Sequence, residues 1–132
     1  MSSPESNFLA WLRKADHDLL NIQNNLAARE IPWDTVCFHA QQAAEKILKA
    51  FLVFHGRDLS KTHDLVALLA RCADCEAGLA GLESDCRTLT SYGVAARYPD
   101  DLFEPGETDG REVVAAAYRV RTMILALLPD NR

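Results

Sequence analysis

Phe38-His39-Ala40-Gln41-Gln42-Ala43-Ala44-Glu45-Lys46-Ile47-Leu48-Lys49 carries two patterns at once, and the fold follows from how they interleave. Val36, Ala40, Ala43, Ile47, Phe51 and Phe54 recur at helical spacing as one apolar seam. His39, Gln42, Lys46 and Lys49 follow at steps of three, four and three, so they form a polar stripe along the flank of that seam. Phe38, Leu48 and Leu52 fall away from the seam and give the helix a second apolar face. A helix that is apolar on two faces is covered on two sides, so it is either central to the fold or part of an oligomer interface; on this ground a homodimer is expected. The helix begins near Asp34 and stops at Gly56, a residue free to take the left-handed conformation that ends helices.

Outward from this segment the chain reads as helix throughout. Phe8, Leu12, Ala15, Leu19, Ile22 and Leu26 form the stripe of a long first helix, with Ser3 as cap and Pro4 in the first turn. It ends before Ile31-Pro32, because proline forces the preceding residue out of helical geometry. Thr62 is the expected N-cap of a short third helix bearing Leu65, Leu68 and Leu69, with Asp64 favourably placed at its positive end. Gly78 and Gly81 interrupt the pattern, and a fourth segment with Leu82, Cys86, Leu89 and Ala96 inward runs up to Arg97. Tyr98 to Asp109 is a loop by composition. The last helix starts near Thr108, with Val113, Ala117, Val120, Ile124 and Leu127 as its seam until Pro129. The expectation is one all-α domain over residues 1–132, an antiparallel up-and-down bundle of four to five helices.

A chain of 132 residues can bury one proper core. The net charge of -5 argues against bulk electrostatic binding of nucleic acid, which needs many cations to neutralise phosphates, so RNA is not an expected partner. No apolar run approaches a membrane span and the start lacks a signal-peptide profile, which predicts a cytoplasmic protein without membrane contact. Cys72 and Cys75 have C-x2-C spacing with Cys86 near, and His63 or Cys37 would have to complete a zinc site. With no second close pair, they read instead as small buried thiols, and no metal site is expected.

The polar stripe offers an imidazole, an amide and two ammonium groups, an inventory suited to a phosphate or a nucleotide. Spacing alone favours a solvated flank with a snorkelling Lys, with Glu45 in ordinary surface pairing to Gln42 and Lys49. Arg97 closes a helix just before Tyr98-Pro99, where it can reach a phosphate or cap the helix, and Asp100 and Asp101 can hold it or a nucleotide-borne divalent ion. His63 joins the stripe if its loop folds back. His17 reads as solvated and His55 as a cation at a helix end.

Phe38-His39-Ala40-Gln41-Gln42-Ala43-Ala44-Glu45-Lys46, Thr62-His63-Asp64-Leu65 and Ala96-Arg97-Tyr98-Pro99, in that order, resemble the HEPN domain, the helical nucleotide-binding domain of higher eukaryotes and prokaryotes. The resemblance spans nearly the whole chain. It implies a four- to five-helix bundle, commonly a homodimer. In prokaryotes it also implies frequent pairing with a separately encoded minimal nucleotidyltransferase in toxin-antitoxin or related defence systems.

Many members of that family are metal-independent ribonucleases with an Arg followed four to six residues later by His. The arginine stabilises phosphorane charge and the histidine moves the proton of the 2'-hydroxyl or the leaving oxygen. Arg97 matches the first, but Asp101, Leu102 and Phe103 stand where the second should fall, so no catalytic residue is assigned. The resemblance therefore points to a non-nucleolytic member that binds a nucleotide, with or without Mg, or a nucleotidyltransferase partner. No covalently bound cofactor is called for. The binding candidates are His39, Gln42, Lys46, Lys49, His63, Arg97 and Tyr98, the last conceivable as an acceptor of a transferred nucleotide. Two alternatives stand beside this: a divergent ribonuclease using Arg97 with His39 or His63, and a purely structural interaction module built on Phe38 and Leu52.

Overall fold

A computed structural model describes residues 4–59, 61–95 and 104–129. Five α-helices follow in order, α1 (Pro4–Leu26), α2 (Trp33–Phe54), α3 (Leu65–Cys75), α4 (Glu83–Ala95) and α5 (Glu107–Leu125), with a 3-10 helix (Ala77–Leu82) between α3 and α4. No strand occurs among the described residues. The chain is therefore the all-α bundle its periodicity predicts.

Contacts along the helices fix their directions. The Phe8 ring meets Phe54 edge-on at 5.0 Å between centroids, Lys49 lies over the Trp11 ring, and Asp18 reaches Lys46 and His39. Rising numbers on α1 meet falling numbers on α2, so the two run antiparallel. Likewise Asp85 with Arg119, and Tyr92 with Asp109, set α4 against α5 in opposite senses.

α2 packs against each of the other four α-helices. Of the two coverings its sequence allowed, it takes the central one: Leu48 and Leu52 are fully buried within the chain, so they give no ground for a partner, while Phe38 is half-buried. Ala40, Ala43, Ala44 and Ala50, all at 0% exposure, keep the helix slim where neighbours crowd it, since interaxial distance follows the size of the side chains at the contact. Gly56, at φ +70°, ends α2 in a Schellman turn. Its N–H donates to the Val53 carbonyl and the Arg57 N–H to that of Leu52, which satisfies two carbonyls left open at the helix end.

Three boundary readings change. Asp64, not Thr62, caps α3: its carboxylate accepts from the Val66 and Ala67 N–H groups, while the Thr62 hydroxyl accepts from the Asp64 N–H. The first N–H of α3, that of Leu65, donates to the hydroxyl of Thr90 on α4, a contact that local sequence cannot announce. Gly78 and Gly81 lie within the 3-10 helix rather than a plain break. α5 stops at Leu125, so the seam shifts at its end: Leu127 is exposed and Leu128 buried. Ser3, Ala96 and Asp100 lie outside the described residues.

A second close approach positions α2 against α5. Gly110 lies under the indole of Trp33, where a side chain at that position would overlap the ring, and the Arg111 guanidinium sits 5.3 Å from the ring centroid. Asp109 ties the start of α5 to α4 by accepting from the Tyr92 hydroxyl at 3.0 Å.

Candidate functional site

The polar flank of α2 is not left in solvent; two buried carboxylates collect it. Asp18 comes from α1, where Phe8, Trp11, Ala15, Asp18 and Ile22 follow alternating steps of three and four and so face α2 together. One Asp18 oxygen lies 2.9 Å from Nδ1 of His39, and the other accepts from Nζ of Lys46 at 2.6 Å. Glu45, on α2 itself, accepts from Nζ of Lys49 at 2.9 Å and lies 3.0 Å from Nδ1 of His63. Each acid thus holds one lysine and one histidine.

The amides complete the Glu45 half. Gln41 Nε2 donates to Glu45 at 3.3 Å and to the His63 backbone carbonyl at 3.4 Å, which draws the loop before α3 onto α2. Gln42 donates to Gln41 Oε1 at 2.8 Å. Lys49 also lies 5.6 Å from the Trp11 ring centroid, a cation-π contact that shields its stem. All five described candidates, His39, Gln42, Lys46, Lys49 and His63, are therefore brought to one face. Arg97 and Tyr98 lie outside the described residues, as does Asp101.

Burial grades this face from inside to out. The Asp18 and Glu45 side chains are 9% and 7% exposed, Lys49 11%, His39 22%, Lys46 24% and His63 64%. Burial pushes the Glu45 carboxyl upward, but hydrogen bonds from Lys49 and His63, reinforced by their charges, outweigh it and leave it below the ordinary carboxylate value. It is ionised at neutral pH. Glu45 is consequently a buried anchor and not surface pairing, which corrects the reading from spacing.

Asp18, Gln41 and Trp11 were missed from sequence. The signal for Asp18 was present: an acid at the edge of an apolar stripe, seven residues after a tryptophan on the same face. A buried charge needs a partner, and its partners lie on another helix.

The remaining histidines and cysteines stay apart. His17 is exposed. His55 is exposed at the end of α2, its ring 4.4 Å from that of Phe51. Cys37, Cys72 and Cys86 are buried, and burial, the leading cause in each, pushes their thiols up to about 12. Among the described residues no three His, Cys, Asp or Glu side chains are grouped to hold a metal ion.

Chemically, the face is a set of ammonium and imidazole groups fixed in place by internal counterions. Such an array meets an anion without first having to order long lysine side chains, which otherwise costs about 0.5–1.5 kcal/mol for each one immobilised. A family model described as the HEPN domain matches residues 8–127. Neither a curated protein nor a solved structure matches the chain. No described helix is long and apolar enough to cross a membrane.

Proposed function

The chain belongs to the HEPN domain family, and on that premise we propose that it binds the phosphate of a nucleotide at the α1–α2 polar face and cleaves no RNA. One observation carries the reading: Asp18 and Glu45 hold His39, Lys46, Lys49 and His63 in a fixed array. Gln42, on the same flank, supplies an amide for a base edge or ribose, and Arg97 a guanidinium for a second phosphate. Magnesium enters with the nucleotide's phosphates. No histidine stands four to six residues after Arg97, where the family's nucleolytic motif carries one.

The same reading assigns the protein to a cytoplasmic two-component system of the toxin-antitoxin or defence type, as a homodimer beside a minimal nucleotidyltransferase. The partner does the chemistry, and this chain presents or receives the nucleotide. Calorimetric titration with ATP, GTP and their monophosphates, with and without magnesium, tests it. Saturable binding that Lys46→Ala and Arg97→Ala abolish is the expected result. Absence of binding to every nucleotide refutes it and leaves the face a structural ion-pair network.

A second reading, metal-independent RNA cleavage with Arg97, is favoured by one feature. The buried Glu45 orients His63 while most of that ring remains exposed, the arrangement of a proton-transfer group. Cleavage of RNA in the presence of chelator, lost in Arg97→Ala, would replace the first reading with this one.

A further inference from the structure

We infer that anion binding at the α1–α2 face is coupled to proton uptake by His39 and His63, whose Nε2 atoms, away from the carboxylates, change from acceptors to donors. The inference rests on the phosphate-binding reading above and adds how that site is regulated. Both imidazoles turn Nδ1 to a buried carboxylate, His39 to Asp18 at 2.9 Å and His63 to Glu45 at 3.0 Å. An ionised carboxylate offers only lone pairs, so the single proton of a neutral imidazole must sit on Nδ1. Nε2 is then bare. It has no protein partner among the described residues for either histidine, and in the neutral ring it presents a lone pair that repels a phosphate oxygen.

The charge balance leads to the same conclusion. With both rings neutral, Asp18 and Glu45 balance Lys46 and Lys49, and the face carries no net charge. Glu45 stays ionised, held below the ordinary carboxylate value by its two donors. Protonating a ring adds a positive charge and a Nε2–H donor in one step, on the side away from the carboxylate.

α1 presents Asp18 to His39, and α2 adds Lys46 on the same carboxylate and the uncharged Phe38 ring. α2 presents Glu45 and Lys49 to His63. On its own segment the neighbours are Lys61 and Asp64, and the Asp64 carboxylate is occupied in capping α3. Imidazole is the side chain that changes charge between pH 5 and 8, so no other group on this face provides the switch in that window. By linkage, an anion that binds the protonated rings more tightly favours their protonation by the same free energy, and protons are taken up on binding.

Sulfate is the probe, because its charge is constant across pH 5.5 to 8 whereas a phosphate monoester titrates there itself. Binding is followed by the imidazole nitrogen resonances. In the free protein at pH 8 both rings should show the Nδ1–H tautomer. If one protonated ring is required, sulfate affinity falls by about tenfold per pH unit once the rings have lost their protons.

His63→Gln, at an exposed ring, should flatten that profile with the fold intact. Calorimetry of the unmodified protein with sulfate at pH 7, in two buffers of different ionisation heat, should register proton uptake. Sulfate binding with the same affinity at pH 6 and pH 8 and no proton uptake overturns the coupling while leaving the phosphate site standing. Failure of both sulfate and AMP to bind at any pH overturns the site and the coupling together.

Discussion

Replacing Glu45 by glutamine keeps the shape of the side chain and removes its charge, and the structure sets what this costs. Lys49 loses its counterion while its side chain is only 11% exposed, with the Trp11 ring its remaining attraction. Breaking a buried ion pair costs roughly 3–5 kcal/mol, but the new amide oxygen can still accept from Nζ and the lysine can extend toward water, so about 2–3 kcal/mol is expected. The His63 contact adds little, since that ring is mostly in solvent. For a domain of this size the loss lowers Tm by roughly 6–15 °C, measurable by thermal and urea unfolding.

Glu45→Gln/Lys49→Met removes the stranded charge and should recover most of the loss. The folded-state pKa of Glu45 lies below the unfolded value of 4.5, so its stabilisation is fully present above pH 4.5 and is lost as pH falls through the folded value. The gap between the unmodified protein and Glu45→Gln should therefore close in acid and not in base. A single variant within about 0.5 kcal/mol of the parent at pH 7, or a double variant as unstable as the sum of the singles, would refute the argument.

Two other outcomes follow from packing. Gly110→Ala gains about 1 kcal/mol of helix propensity, yet the new methyl overlaps Cε3 of Trp33 and lies 2.8 Å from Cζ3, so a net loss of about 1–3 kcal/mol is expected. In a Trp33→Ala background the same change should turn stabilising, and urea unfolding of the four proteins decides it. A thiol reagent at pH 8 should titrate Cys75 alone in the native protein and all four cysteines in denaturant, because Cys37, Cys72 and Cys86 are buried and pushed up to about 12. Fast modification of two or more native thiols would contradict the packing around α2 and α3.

The helices were legible because each hides a periodic stripe, and Val36 to Phe54 was the clearest since it hides two. What sequence could not decide was set by another helix or by where a helix stops. Thr62 and Asp64 are both good caps, and the hydroxyl of Thr90 on α4 helps select the register by taking the Leu65 N–H. Leu127 continued the spacing of α5 on paper, but the helix ends at Leu125 and the turn beyond it brings Leu128 inward instead. The polar stripe was visible from its spacing. Its inner wall was not, because Asp18 meets its partners 21 and 28 residues further along the chain.

That inner wall constrains how any ligand is received. Asp18 and the cations it holds sit on different helices, so the face could open by separating α1 from α2 or by turning side chains. Separation would expose Phe8, Leu12, Ala15, Leu19 and Ile22, all buried in the shared core. At roughly 1.5–3 kcal/mol for each large side chain, that exceeds what one phosphate contact returns. Rotation of Lys46 and of the two imidazoles costs far less and runs on the nanosecond scale. A ligand here should thus leave the backbone where it is and move protons and rotamers only. Loss of anion binding without loss of stability should be seen in variants at the exposed end of the array, His63 first, whereas variants at Asp18 and Glu45 should lose both.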